Sequence, residues 1–429
     1  GVNAALGLLK EFPDGLPESG RICIQEAATT SIGSINTAIA LGGIPLDPNF
    51  SINPEDYNCS HASLPAVVLD PLDPDSEGET VVDTEALCSA QGAGVNNNAF
   101  VADCPNLSDY RLFADASDPR QAPNGQGVIY DLTTPLFTDY ASKYRFVFVP
   151  EGATAAFRST ESMDFPIGTI ISKTFTIQED LRTPNAQTDE LIETRLMIKR
   201  TEGWEALPYI WNEDKSDAIL SVAGGTKDVS WLDINGDEMA TTYVIPNKNN
   251  CANCHGEQDI KPIGTKAKSL NKMVNVDGTL INQLSHWSQL NILSSVPADR
   301  TAIDAATIPD YTDTDVALDA RARGYLDINC AHCHSVDGAA RTSGLLLTYN
   351  QGSDLEIGKC KPPVAAGDGA GNLLHDIVPG DASKSILAYR LNSNELDVRM
   401  PELGRSVIHS EGVQLITDWI NAMDADNCE

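Results

Sequence analysis

Two pentapeptides hold the residue types and spacing best suited to chemistry: Cys251-Ala-Asn-Cys254-His255 and Cys330-Ala-His-Cys333-His334. Cys-x-x-Cys-His is the spacing for covalent haem attachment. Each thiol adds across one vinyl group of the porphyrin. The two-residue spacer brings the sulfurs to both vinyl positions, and the next imidazole reaches iron from one face. A structural zinc site pairs Cys-x-x-Cys units about 15–20 residues apart, whereas roughly 75 residues separate these two, and zinc leaves the trailing histidines without a role. A thioredoxin-like redox pair accounts for one motif but not for His at the fifth position twice. Two covalently bound haem c groups are therefore expected, one on Cys251, Cys254 and His255, the other on Cys330, Cys333 and His334.

The sixth iron ligand separates electron carriers from catalysts. Met400-Pro401 lies downstream of the second motif and precedes apolar residues at helical spacing over 412–423. An attachment helix, a loop with Met-Pro and a closing helix follow one another as in a small single-haem cytochrome c domain, so Met400 is the expected second ligand. His375 and His409 are rivals of a kind more often found as satisfied surface histidines. His332, inside the motif, is too near to turn back onto the same iron. Before the second motif the chain offers His286 and Met273 to the first iron. His286, beside Trp287 on the helical pattern of residues 280–290, is the expected ligand; Met273, an open five-coordinate iron, and a plain polar role for His286 stay open.

These motifs need positioning. Residues 106–247 carry β-branched and aromatic runs at 144–149, 169–177 and 193–199, punctuated by turn formers at 150–152 and 233–237. That pattern predicts an antiparallel sandwich or barrel. Asp233, Asn235 and Asp237 echo a calcium loop, but the closing bidentate Glu is missing and a hairpin turn is preferred. From residue 248 onward the pattern is helices and loops, divided into a first haem region at 248–314 and a second, cytochrome c-like haem domain at 315–429.

Of the ten cysteines, Cys23, Cys59, Cys88, Cys104, Cys360 and Cys428 stand outside the motifs, and an even remainder predicts three disulfides and an oxidising compartment. Residues 1–105 read as a loop-rich module stapled by two bridges, with the acidic stretch 70–79 as an exposed loop. Four cysteines allow three pairings; pairing neighbours, Cys23 with Cys59 and Cys88 with Cys104, is favoured because a loop of about 15 residues already gains roughly 3 kcal/mol. A Cys360–Cys428 bridge would tie the loop before Met400 to the C-terminal end. The fold class expected is thus multidomain: a disulfide-stapled module, a β-rich central domain, and mainly α-helical haem domains.

The 429-residue chain has a formal net charge of -32. Such a surface repels phosphate and excludes nucleic acid as a partner. It serves solubility, and it leaves open a field that steers basic redox partners. No window approaches the roughly 18 apolar residues of a transmembrane helix, and Gly1 begins without a signal-like segment, so a mature exported chain, periplasmic or extracellular, is expected.

From about residue 106 to the end the chain resembles a family of secreted bacterial dihaem c-type cytochromes, sometimes encoded beside a parallel β-helix-repeat protein. The matching segments are Asp131-Leu-Thr-Thr-Pro-Leu-Phe-Thr-Asp-Tyr-Ala-Ser-Lys-Tyr-Arg-Phe146, Ile245-Pro-Asn-Lys-Asn-Asn-Cys-Ala-Asn-Cys-His-Gly256, Arg321-Ala-Arg-Gly-Tyr-Leu-Asp-Ile-Asn-Cys-Ala-His-Cys-His334, Cys360-Lys-Pro-Pro-Val364 and Arg399-Met-Pro-Glu-Leu403. The C-terminal part is similar to a class I cytochrome c domain. The resemblance implies haem at both motifs and electron transfer with redox partner proteins rather than catalysis. A dihaem peroxidase-like enzyme with an open iron, and a self-assembling subunit of an extracellular cytochrome filament, are the alternatives.

Overall fold

A computed structural model of the chain describes residues 83–428 other than 126, 187, 257, 258, 277 and 365. The 70–79 stretch and the Cys23–Cys59 pairing lie outside the described residues. Residues 82–429 form one compact unit.

The described part opens with helix α1 (Thr84–Cys88), capped by Asp83, whose carboxylate accepts the Ala86 N–H at 3.0 Å. Cys88 is bonded to Cys104. The strands then follow as β1 (Gly127–Ile129), β2 (Ser142–Phe148), β3 (Ala155–Ala156), β4 (Ile170–Ile177), β5 (Glu190–Arg200), β6 (Gly203–Trp211) and β7 (Ala218–Leu220). Six of them build an antiparallel sheet in the order β1-β2-β4-β5-β6-β7. The runs expected at 144–149, 169–177 and 193–199 are β2, β4 and β5. The sheet is open, with β1 and β7 as its edges, rather than closed into a barrel.

Its faces are hidden by other segments. Phe146, Phe148, Ile170, Leu196 and Leu207 pack with Cys88, Cys104 and Tyr110, while Val147, Ile171 and Met197 pack with Leu270, Leu284 and Trp287. Phe175, Ile177 and Ile192 meet Val229, Trp231 and Tyr243 from the hairpin β8 (Gly225–Leu232) and β9 (Glu238–Ile245). With its apolar faces covered in this way, the sheet has no need to close on itself. The β8–β9 turn consumes its own carboxylate: Asp233 Oδ1 accepts the N–H groups of Asn235 and Asp237 at 2.8 and 2.9 Å, and Gly236 supplies a φ of 88°.

Helices dominate afterwards. Helix α2 (Lys248–His255) and α3 (Ala267–Leu270) precede a small hairpin, β10 (Met273–Val276) and β11 (Thr279–Asn282), and α4 (Gln283–Gln289). Strand β12 (Leu293–Ser294), paired in parallel with β3, and α5 (Thr301–Ala306) lead to α6 (Leu318–Cys330), α7 (Ile386–Leu391) and α8 (Ser410–Asn421). On α8 the buried positions Gly412, Leu415, Ile416, Trp419 and Ile420 form one apolar stripe. It packs with Ala322, Tyr325 and Leu326 of α6 and Leu387 and Leu391 of α7. Cys360 is bonded to Cys428, tying the loop before Met400 to the end of the chain. Among the described residues no helix is long and apolar enough to cross a membrane.

Residues 134–140 fasten the sheet to this helical part. The Phe137 N–H donates to Asn329 Oδ1 at 2.8 Å, Asp139 Oδ1 accepts the Ser406 and Val407 N–H groups at 2.6 and 2.9 Å, and the Tyr140 hydroxyl donates to Glu411 at 2.7 Å.

The two bridges close loops with sequence separations of 68 and 16 residues, so their removal is graded. Cys428→Ser is expected to cost about 4 kcal/mol and Cys88→Ser about 3 kcal/mol, the longer loop freeing more denatured-state entropy. Urea unfolding of the oxidised variants measures both. A Cys428→Ser protein as stable as the parent would refute the constraint assigned to that bridge.

Candidate functional site

The first motif occupies α2. Asn247 caps it reciprocally with Asn250: the Asn247 side chain accepts the Asn250 N–H at 2.8 Å, and Asn250 Oδ1 accepts the Asn247 N–H at 3.3 Å. Gly256, at φ 115°, stops the helix; a Cβ there would sit 2.6 Å from the Asp259 carbonyl. The chain then folds back so that the Lys261 N–H donates to the His255 carbonyl at 2.8 Å, while His255 Nδ1 lies 2.7 Å from the Lys261 carbonyl. A neutral imidazole facing a carbonyl carries its proton on that nitrogen, which leaves the Nε2 lone pair free. Desolvation first, and the Lys173 charge second, push this imidazole down to about 3. At neutral pH it is an uncharged donor.

The second motif repeats the device at the end of α6. The Cys333 and His334 N–H groups both donate to the Cys330 carbonyl, at 3.0 and 2.8 Å, winding the motif into a continuing turn. His334 Nδ1 faces the Leu345 carbonyl at 3.3 Å. Ser343 fixes that carbonyl's loop by donating to Ala340 at 2.7 Å and accepting the Leu345 N–H at 3.2 Å. Burial pushes His334 down to about 4.

Among the described cysteines, the four motif thiols are free and the other four are in disulfides. Burial pushes the Cys251 thiol up, and that of Cys330 up to about 12, so both are neutral thiols. The motifs face each other: Cys254 Sγ, the His332 imidazole and Cys333 Sγ lie within 4.8 Å of one another. Hydrogen bonds from Cys333 and then His332 hold the Cys254 thiol down, and the same contact drives Cys333 up.

A cavity of about 620 Å³ opens beside the second motif, lined by Cys330, Cys333, His334, Leu345, Leu347, Ile386, Leu387 and Met400. Lys361 and Arg390 add cations to its wall, Lys361 paired with the buried Asp376 at 2.9 Å. That volume lies within the range of about 300–1,000 Å³ that holds cofactors. A tighter space of about 80 Å³ lies between His255 and the helical part, sharing Cys254, Asn329, His332 and Met400 with the larger one. The donor set at both motifs fits a covalently attached haem, and at the second the space fits as well. Loading the first requires α2 to stand off its neighbours.

Met400 is thus brought to the second motif. Arg405, which sequence reasoning passed over, holds its loop: the buried guanidinium donates to the Met400 carbonyl at 3.0 Å and to the Ser393 carbonyl at 2.7 Å. Nothing in an isolated loop arginine announces that it turns inward. His286 on α4 and Met273, 55% exposed at the start of β10, do not line either cavity. His375 is equally absent from both walls, whereas His409 lines the tighter one.

His409 is committed elsewhere. It stacks on Phe137 at 4.0 Å and 8°, and its Nδ1 bonds the Tyr325 hydroxyl at 3.0 Å. Also unforeseen was a row of cations across the sheet: Arg145, Lys173 and Arg195 stand directly opposite one another on β2, β4 and β5. Lys173 and Arg195 line the space at His255. Only knowledge of strand register could have aligned them.

Compared with known proteins, the chain matches no family model, no curated protein and no solved structure.

Burial, with the Lys143 and Arg405 charges adding and Glu411 opposing, pushes His409 from 6.5 down to about 4. The folded state therefore holds fewer protons than the unfolded one between these values. The contribution, at most about 3 kcal/mol, is complete above pH 6.5 and is lost as pH falls toward 4. Urea unfolding at pH 7 and pH 4.5 is expected to show a smaller loss of stability for His409→Gln than for the parent. Equal losses in the two proteins would exclude this residue as the source.

Proposed function

We propose that this chain is a secreted dihaem c-type cytochrome that carries electrons between redox partner proteins outside the cytoplasm. One observation carries the reading: the motif thiols alone stay free among the described cysteines, and each following imidazole is fixed by Nδ1 to a backbone carbonyl with Nε2 left available. A redox dithiol gives no reason for that second feature, and the Cys254, His332 and Cys333 cluster that could hold zinc uses neither of these two imidazoles. When bound, each haem supplies an iron that takes up and releases one electron.

The chain's own residues would do the rest. Cys251 and Cys254, and Cys330 and Cys333, tether; His255 and His334 ligate from one face. At the second site the apolar wall of Leu345, Leu347, Ile386 and Leu387 would keep water away, and Met400 would supply the sixth donor, a choice that raises the potential. Lys361 and Arg390 are the cations available to haem carboxylates. The close approach of Cys254 to Cys333 supports neighbouring attachment edges, as internal electron passage requires. Two disulfides among the described residues support an oxidising compartment. The cytochrome c-like character of residues 315–429 is supported by the packing of α6 against α8 and α7 in one apolar cluster.

A second reading has its own observation. Cys254, His332 and Cys333 present three ligand atoms within 4.8 Å, a donor set suited to a soft divalent metal such as zinc. It leaves the 620 Å³ cavity and the Nδ1 bonds without purpose.

Acid–acetone extraction, intact mass and the alkaline pyridine spectrum test both readings. Two haems that stay with the denatured polypeptide are expected, falling to one when Cys251 and Cys254, or Cys330 and Cys333, are replaced by Ala. Met400→His is expected to lower the potential of the second haem while both remain attached. A bare-polypeptide mass with stoichiometric zinc would replace the leading reading with the other.

A further inference from the structure

We propose that the row of cations on β2, β4 and β5 is a binding site for one small oxoanion, taken by Lys173 and Arg195 in the space beside His255. The inference goes beyond electron transfer and needs no haem at either motif.

Arg145, Lys173 and Arg195 stand opposite one another in register, so their side chains leave the same face of the sheet. Lys143, two residues before Arg145 on β2, shares that face. The carboxylates nearby are already divided. Glu193 accepts Arg195 Nε at 2.8 Å and Nη2 at 2.5 Å, and the Tyr243 hydroxyl at 2.9 Å. Asp131 is shared between Arg145 at 3.1 Å and Lys272 at 2.8 Å. Asp139 turns its Oδ1 to the Ser406 and Val407 N–H groups. Among the described residues Lys173 Nζ meets no hydrogen-bond acceptor and no carboxylate. The ring it lies over, Phe175 at 4.9 Å, is also approached by Arg195 at 4.3 Å and Lys143 at 5.8 Å. One ring quadrupole offsets little of three charges. A cation withdrawn from water in this way is unfavourable until an anion pairs with it.

The space these side chains line has the size for such an anion. Lys173 and Arg195 share its wall with Thr138, Asn329 and the buried Arg405, and Arg195 Nη1 is left over from the pairing with Glu193. Its volume of about 80 Å³ has room for several waters, hence for one sulfate, nitrate or carboxylate. It falls well short of the roughly 300 Å³ at which cofactor pockets begin. Helix α2 supplies only Cys254 and His255 to the wall. Both donors stand on strands that are paired on either side within the sheet, so a displacement of α2 widens the space without removing a donor.

Isothermal titration calorimetry of the full chain with sodium sulfate, in sodium chloride at constant ionic strength, tests the assignment, with sodium formate as a competing carboxylate. The parent is expected to bind one sulfate per chain saturably and to lose it to formate. Lys173→Gln is expected to weaken sulfate binding at least about tenfold, through the loss of one charge-assisted hydrogen bond. Removing one charge from a repelling row leaves the fold intact, which the urea midpoint checks. Lys173→Arg, which keeps the charge, is expected to retain binding, and Lys384→Gln, at an exposed lysine, to leave it unchanged. The chain with Cys251→Ala and Cys254→Ala, which cannot carry the first haem, is expected to bind sulfate as the parent does.

A parent without saturable sulfate binding, or equal affinity in the parent and Lys173→Gln, overturns the assignment. Binding by the double cysteine variant alone overturns it as well, giving the two cations to a carboxylate of the first haem and leaving the dihaem reading in place.

Discussion

Each motif imidazole turns its Nδ1 to a backbone carbonyl, with the Ser343 hydroxyl also near that of His334, and much of the surrounding chain exists to put that carbonyl in place. The bond decides the tautomer, and the tautomer decides whether Nε2 offers a lone pair. At His255 the carbonyl comes from Lys261, only six residues on, so the return must be tight. Gly256 makes it possible, because any Cβ at φ 115° would collide with the Asp259 carbonyl. At His334 the carbonyl comes from Leu345, across a longer loop pinned by Ser343. Two different loops, one local and one extended, converge on the same constraint.

The sheet beneath the first motif carries an electrostatic cost. Like charges directly opposite on neighbouring strands repel, yet Arg145, Lys173 and Arg195 stand in register across three strands of a chain whose net charge is -32. Glu193 pairs with Arg195 at 2.5 Å and Asp131 with Arg145 at 3.1 Å. Lys173 lies over the π face of Phe175, and desolvation with its two arginine neighbours drives it down to about 7 against the opposing Glu193 charge. This part of the sheet, which touches the space at His255, is the least electrostatically balanced of the three positions. An anionic group bound there would relieve the repulsion that the protein's own carboxylates leave over.

How much of this could be read from the sequence follows from range. Strands β2, β4 and β5 and the 233–237 turn were legible because alternation and turn chemistry are local. So were α6, α8 and the loop of Met400 between them, because helical spacing and the Met-Pro step are local signals too. Cys88–Cys104 was legible because neighbours close the shorter loop. The openness of the sheet was not, since what covers its faces comes from remote segments such as Trp287 and the Cys88–Cys104 region. That α4 turns Trp287 into the core beside Tyr130, and leaves His286 off the wall facing His255, was not legible either. Helical periodicity says which residues share a face, not which neighbour that face meets.

The segment at 134–140 shows what such long-range contacts accomplish. Asp139 grips backbone N–H groups of Ser406 and Val407 some 267 residues away, Phe137 stacks on His409, and Thr134 Oγ1 accepts the Tyr311 N–H at 3.3 Å. These contacts are short, mostly buried and made to backbone or to rings, so they resist shear more than surface ion pairs do. They fix the helical part, with the second motif, against the sheet that backs the first. Asn329 adds to the same joint from within α6, accepting the Phe137 N–H while its own amide donates to the Tyr325 carbonyl at 2.9 Å. Relative motion of α6 and the sheet would have to break this whole set together. The place of the second motif against the sheet is therefore set by the fold rather than by a flexible linker.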